Sequence, residues 1–221
     1  KEIFKIGMAK VNLRIPLKLK LYLFLSKFFK KKNNISFSID EPKKIRDGED
    51  LPIDALKEYL NSQNFNTKHL SVEQFPSGYS NLTYLLKTDR KEYVLRRPPF
   101  GADSLKGGHD MSREYRVLSK LKAEFDKVPD VHLYTEDKSI IGAPFYIMDC
   151  VKGYILRPNL LQENAPDAHT ISKIADSLID TFVSLHQVDI DKSGLNDFGK
   201  IDGYVSRQIS GWTERYFHAK T

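Results

Sequence analysis

Hydrophobic and polar positions divide the chain into a run of short strands followed by a run of helices. Apolar residues at alternate positions, bounded by turn residues, predict strands at 69–75, 82–88, 93–97, 131–134 and 144–151. Apolar residues three and four positions apart predict helices at 51–63, 109–125, 171–188 and 204–216. The stretches between them, among them 35–50, 157–168 and 191–203, are predicted as extended chain or loops.

This order of elements predicts an α+β fold with two lobes. Five antiparallel strands with one helix inserted after the third form a small amino-terminal lobe at 37–150. The helices of 151–221 begin a second, helical lobe that is only partly present. Residues 1–36 form a basic extension outside both lobes.

Composition and charge narrow the class of protein. The 221 residues are 40% hydrophobic, which is typical of a soluble globular chain. Cys150 is the single cysteine, so no intramolecular disulfide forms and the cytoplasm is the expected compartment. Residues 1–32 carry ten Lys or Arg against one Glu, whereas the remainder carries 25 basic and 28 acidic residues. A mildly acidic body is not expected to bind nucleic acid.

The basic extension has three interpretations. It is an unstructured extension with no role of its own, a segment that contacts a membrane surface or a partner, or a targeting signal. Its longest apolar run, 21–25, is too short for the 18 or so residues that a membrane span needs. The sequence leaves these three interpretations open, and we infer no function from this extension.

The turn at 75–81, which separates the first two strands, contains a single glycine among hydroxyl and amide side chains. Such residues are typical of a plain hairpin loop. They also allow backbone N–H groups to approach an anion, as in a phosphate-binding loop. The candidate ligand residues are Ser77, Gly78, Tyr79, Ser80 and Asn81. The turn alone leaves both interpretations open.

Three further features would complete a nucleotide site. Arg96, on the third strand, would be the cation that holds phosphates, and Glu114, on the following helix, the anion that holds the cation. Arg96 shares a strand face with Val94, and Arg97, on the opposite face, is the competitor for the same role. Separately, each of these charged residues is typical of an ordinary protein surface.

The end of the fifth strand would bind the base. There the backbone carbonyl of Asp149 and the N–H of Val151 would pair with it, while the Asp149 side chain is exposed. Met148 would line the base pocket or, alternatively, form part of the core.

The segments QFPSGYSNLTY (74–84), YVLRRPPFG (93–101), HDMSREYRVL (109–118) and GAPFYIM (142–148) closely resemble the aminoglycoside phosphotransferase, or choline kinase-like, family. The resemblance spans about 45–216 and is nearest to the kinase domains fused to acyl-CoA dehydrogenases. It implies a protein-kinase-like fold that uses ATP and Mg²⁺ to phosphorylate a small-molecule hydroxyl, here of a hydroxyacyl-CoA. By this resemblance, Arg96 occupies the position of the family's basic strand residue, and Glu114 that of its helix glutamate. His186 is then expected to have a structural role and not a catalytic one.

The family's His-Gly-Asp-x-x-x-x-Asn loop and its later metal-binding Asp do not occur in these 221 residues. Metal ligands are therefore expected outside this chain, and residues 1–221 alone are expected to be inactive in phosphoryl transfer. A nucleotide-binding module without catalysis is the alternative. Without further helices to pack on, the apolar face of 171–188, with Ile174, Leu178 and Phe182, is expected to be partly uncovered.

Overall fold

The computed structural model describes residues 35–38, 41–76, 80–101, 109–153, 155–158, 167–199 and 202–219. In these ranges the strands are β1 (Ile35–Ser38), β2 (Ser71–Gln74), β3 (Leu82–Lys87), β4 (Glu92–Arg97), β5 (Val131–Thr135), β6 (Phe145–Asp149) and β7 (Ile155–Pro158). The helices are α1 (Ile53–Ser62), α2 (Met111–Leu121), α3 (Lys138–Ile141), α4 (Ala168–His186), α5 (Ile190–Ser193) and α6 (Tyr204–Ala219).

The predicted five-stranded antiparallel sheet is present. Its strand order is β2-β3-β4-β6-β5, with every neighbouring pair antiparallel. In the register of β4 and β6, Val94 stands opposite Met148 and Arg96 opposite Tyr146. Because side chains alternate across a strand, this register places four residues of the candidate site on one face of the sheet.

The opposite face carries the hydrophobic core. Leu56 and Leu60 of α1 are fully buried there, against a cluster that includes Tyr84, Leu95 and Ile147 of three adjacent strands. Burial of each leucine side chain contributes on the order of 2 kcal/mol. The chain leaves α1 through Asn64, whose φ of 65° is left-handed, a conformation that asparagine tolerates better than most residues.

Helix α2 follows β4 and lies against β5 and β6. Its start is fixed by Asp110, whose carboxylate accepts a hydrogen bond of 2.9 Å from the backbone N–H of Arg113. This cap sets where the first turn begins, and therefore where Glu114 stands.

Three loop predictions are wrong, those for β7, α3 and α5. Strand β1, in the stretch expected to run extended along a surface, is extended and pairs with β7, whose Arg157 was assigned to a loop. The segment that follows β1 is also held, since Lys43 exchanges two backbone hydrogen bonds of 2.8 Å with Gln74. Helices α3 and α5 occupy predicted turn and loop residues, and each is a single turn capped by an aspartate and ended by a left-handed glycine.

The carboxy-terminal helices expose much of their apolar surface, as expected. On α4 only Ile179 is buried, while Leu178 is 47% and Phe182 is 46% exposed. On α6 no residue is buried, and Trp212 is 63% exposed. None of the helices described above is both long and apolar enough to cross a membrane.

Candidate functional site

An open crevice of about 890 Å³ lies on the face of β3, β4 and β6 opposite the core. Leu85, Val94 and Met148 supply apolar walls, and the stretch that follows β6 closes one side. Charged side chains also line it, namely Glu41, Lys87, Glu92, Arg96, Asp149 and Lys152. Its size and mixed lining are typical of a small-molecule site.

Arg96, which lines this crevice, contacts Glu114, which lines a smaller neighbouring cavity. Nε of Arg96 lies 3.2 Å from Oε2 of Glu114, and the two side chains are 30% and 33% exposed. The buried Nε forms no hydrogen bond, so the contact is ionic but poorly directed. Among the described acidic side chains, Arg96 pairs with Glu114 alone and through Nε, so the terminal nitrogens are unused by carboxylates. Their fork matches two oxygens of a phosphate.

Glu114 receives donors from three different elements. Nδ2 of Asn81, at the start of β3, donates to Oε1 over 2.7 Å. The hydroxyl of Tyr146, on β6, donates to Oε2 over 2.8 Å, and Arg96 approaches the same oxygen. Burial raises the pKa of Tyr146, an effect that Arg96 opposes and the Glu114 charge reinforces, so the phenol remains a donor at neutral pH.

Asn81 is buried, with 5% of its surface exposed, and both its amide nitrogen and its amide oxygen form hydrogen bonds. Its Oδ1 lies 2.8 Å from Nδ1 of His109. A carboxylate can only accept, so the NH₂ must face Glu114 and the carbonyl must face His109, whose Nδ1 therefore carries a proton. The side chain of Asn81 is thus committed to protein contacts, and a phosphate contact from this residue stays a prediction.

Arg97 does not compete with Arg96. It is only 2% exposed and lies on the core face of β4. Its Nη1 donates to the carbonyl of Ile141 over 3.0 Å, Nε donates to the carbonyl of Pro98 over 3.1 Å, and its Cζ lies 3.7 Å from the centre of the Phe100 ring. These contacts stabilise the lobe and keep the guanidinium away from the crevice.

Met148 and Val151 line the crevice, as expected of residues beside a base. The side chain of Asp149, however, is not exposed as predicted, because its carboxylate contacts both Lys91 (2.6 Å to Nζ) and Nε2 of His132. Burial alone would raise the pKa of Asp149, but the hydrogen bonds from His132 and Lys91 outweigh it and lower the pKa. Its backbone N–H donates to the carbonyl of Asp130 over 2.8 Å. A contact of its carbonyl with a base stays a prediction.

Of the predicted turn residues, Ser77, Gly78 and Tyr79 lie outside the described residues. Ser80 is exposed at the edge of the turn. The structure therefore places Asn81, Arg96, Glu114 and Met148 near one another, and leaves the role of the turn itself as a prediction.

Sequence reasoning missed two members of this cluster, Tyr146 and His109. Tyr146 could have been found, because it alternates with Met148 on β6 and stands opposite Arg96. His109 carried no such signal, since its partner Asn81 is 28 positions away in a turn. Across the described part of the chain, no group of three His, Cys, Asp or Glu side chains is arranged to hold a metal ion.

The fold and the site together define the class of protein as a phosphotransferase domain with a protein-kinase-like fold. The features that define it are a five-stranded antiparallel sheet, a helix that presents a glutamate to a strand arginine, and helices that follow the last strand. The family pattern described as "Phosphotransferase enzyme family" matches residues 71–221. The chain belongs to this family.

Several known proteins are similar to the chain. Acyl-CoA dehydrogenase family member 11 of Gallus gallus is 39% identical over 147 residues, which are 66% of this chain and 18% of that protein. Family member 10 of Mus musculus is 34% identical over 173 residues, which are 77% of this chain and 16% of that protein. The chain thus spans about a fifth of the length of these curated relatives.

The solved structure of a predicted aminoglycoside phosphotransferase from Ralstonia eutropha JMP134 is also similar. It superposes with a TM-score of 0.60 at 34% sequence identity, over 78% of this chain and 49% of that one. The likeness supports the expected fold, which the sheet order independently displays.

Proposed function

We propose that this chain is the nucleotide-binding part of an ATP-dependent phosphotransferase that transfers the γ-phosphate to the hydroxyl of a small molecule. The observation that carries the proposal is the contact between Arg96 and Glu114 at the edge of an apolar-walled crevice. The carboxylate engages Nε, and the two terminal nitrogens of Arg96 remain for phosphate oxygens.

Each wall of the crevice has a role in this proposal. The base lies against Leu85, Val94 and Met148, and pairs with the backbone that leaves β6 at Asp149 and Val151. The phosphates extend toward Arg96 and the turn at 75–81, whose backbone N–H groups bind them. When bound, Mg²⁺ would neutralise charge on the phosphate oxygens, and we assign it no ligand within the described residues.

The acceptor we propose is a hydroxylated acyl-CoA. The support is that curated relatives matched over two thirds or more of this chain carry the name acyl-CoA dehydrogenase. The assignment is tested by giving the natural protein that carries this chain γ-labelled ATP and a panel of hydroxyacyl-CoA thioesters, free hydroxy acids and an aminoglycoside. Transfer to the aminoglycoside but not to the thioesters would contradict it.

Nucleotide binding is tested by titrating the protein with ATP, ADP and adenosine by calorimetry. In Arg96→Met, ATP binding should weaken about tenfold to a hundredfold, because a charge-assisted contact worth about 1.5–3 kcal/mol is lost. Arg90→Met, on the exposed 88–91 hairpin, is the matched control and should bind ATP like the wild type. An equal affinity of Arg96→Met and wild type for ATP would contradict the proposal.

A nucleotide-binding module without transfer activity is the second candidate. It is favoured by one observation, the absence of a His-Gly-Asp motif from these 221 residues. ATP binding without phosphoryl transfer by the natural protein that carries this chain would support it, whereas transfer would exclude it.

A further inference from the structure

Each oxygen of the Glu114 carboxylate accepts a hydrogen bond from a side chain outside β4, the strand that carries Arg96. Asn81 binds Oε1 and Tyr146 binds Oε2, at 2.7 and 2.8 Å. Asn81 is 5% and Tyr146 is 2% exposed, so both donors are fixed by packing. Hydrogen bonds to a carboxylate from buried, oriented donors are strong and directional.

These two donors determine how Glu114 meets Arg96. An unrestrained carboxylate beside an arginine favours the bidentate arrangement, in which both oxygens engage the guanidinium fork. Here the carboxylate instead contacts Nε, through a poorly directed approach of 3.2 Å. Asn81 and Tyr146 each donate a hydrogen bond to one of the two carboxylate oxygens, so neither oxygen is without a partner outside Arg96.

The orientation of Asn81 is fixed in turn by His109. The imidazole Nδ1–H donates to Oδ1 of the amide, which keeps the NH₂ directed at Glu114. His109 lies two residues before α2, and Asn81 lies at the start of β3. The hydrogen bond between them therefore joins the turn at 75–81 to the beginning of the helix that carries Glu114.

We propose that Asn81 and Tyr146 are positioning residues, which hold the Glu114 carboxylate on Nε of Arg96 and so keep the guanidinium fork free for a phosphate group. The part that concerns phosphate rests on the proposed function. Neither residue needs to touch the nucleotide. Asn81, expected from the sequence to be a phosphate ligand, acts in this proposal through Glu114.

The experiment compares Asn81→Ala and Tyr146→Phe with wild type in the natural protein that carries this chain. Both variants should bind ATP about five- to tenfold more weakly and adenosine within about twofold of wild type, because the change reaches only the phosphate end of the crevice. Tyr84→Phe is the matched control, since its hydroxyl donates to the carbonyl of Glu49 over 2.7 Å on the core face of the sheet, and it should change neither affinity. Unchanged ATP affinity in both variants would overturn the proposal, as would an equal loss for ATP and adenosine.

A second readout is independent of nucleotide. Amide hydrogen exchange in the first turn of α2 (111–115) should accelerate in both variants, because the helix loses a link to the sheet, and should stay unchanged in Tyr84→Phe. If wild type fails to bind ATP, the proposed function fails, and exchange alone then decides the positioning role. Unchanged exchange in both variants would overturn that role.

Discussion

Arg96 and Arg97 are neighbours on β4, yet alternation sends one to the crevice and the other into the core. The side chain of Arg96 is 30% exposed and lines the crevice, whereas Arg97 is 2% exposed among core residues. Because side chains alternate along a strand, these two neighbouring arginines lie on opposite faces of the sheet and have different surroundings.

Replacement of Arg97 tests this separation. Arg97→Met should lower the free energy of unfolding by about 2–4 kcal/mol, because the carbonyls of Ile141 and Pro98 lose a buried donor. Urea denaturation measures the change. Arg96→Met should lower it by less than about 1 kcal/mol, as its side chain is partly exposed.

Where Arg97→Met still folds, its affinity for ATP should equal that of wild type. A large loss of ATP affinity with unchanged stability would instead place Arg97 in the site, and would contradict the division of roles.

Cys150 offers a second test at this scale, because it is the single cysteine and lines the crevice. Burial raises the pKa of its thiol, and the negative charge of Glu92 adds to the effect. The reactive thiolate is therefore scarce at neutral pH. Alkylation by iodoacetamide at pH 7.5 should be slower than in the urea-denatured chain and should accelerate as the pH rises above 9.

Saturating ATP should slow the alkylation of Cys150 further, since the base would cover this wall of the crevice. Mass spectrometry of the alkylated protein over time gives both rates. A labelling rate that ATP does not change would argue against a base at this position.

At the scale of elements, the end of β6 is tied to its neighbours through Asp149. Its carboxylate joins Lys91, in the hairpin before β4, to His132 on β5. The pKa of Asp149 is lowered in the folded state, so the stabilisation is complete above the ordinary carboxyl pKa of about 3.9. It disappears as the pH falls through the lower, folded-state pKa.

Asp149→Asn should therefore cost about 1 kcal/mol of unfolding free energy at pH 7. The difference from wild type should shrink as the pH falls below about 3.9. Thermal unfolding across this pH range measures it. Asp126→Asn, at an exposed position, is the control and should follow wild type throughout. A difference that stays constant down to the lowest pH would contradict the role of the charge.

The elements that sequence reasoning found are those with a local signal. Alternation of apolar residues gave the five strands, and the cap of α2 at Asp110 was readable from one aspartate. The pairing of β1 with β7 had no such signal, because the two strands are separated by more than one hundred residues. Helix α3 is too short for a helical period to appear, although Asp137 and Gly142 mark both of its ends.

At the scale of the whole molecule, the sequence predicted those contacts of the candidate site whose two residues lie on one face of a strand or on consecutive elements. Arg96 and Glu114 were expected to meet, since a strand and the next helix carry them. The commitment of the Asn81 side chain to His109 and Glu114 was not predictable, because it depends on where the turn meets the helix in space. Side chains that link distant segments need the assembled fold to be identified.

Residues 1–221 should bind ATP but transfer no phosphate to any hydroxyl of the proposed panel. The sequence holds no His-Gly-Asp motif, and loss of a base and of metal ligands costs roughly a thousandfold or more in rate. A radiolabel transfer assay over several hours measures this, with a calorimetric titration as proof of folding. Steady transfer by these residues would contradict the expectation.

The pairing of β1 with β7 has a practical consequence for labelling the protein on these two strands. The crevice is bordered by Ile155 of β7 and by Glu41 and Pro42, which follow β1. Ile155 lies opposite Ser38, whereas Pro158, at the other end of the pair, lies opposite Ile35. A dye or other bulky group attached at position 38 would therefore stand beside the entrance and obstruct it, so a label on this pair of strands belongs at its Ile35 end.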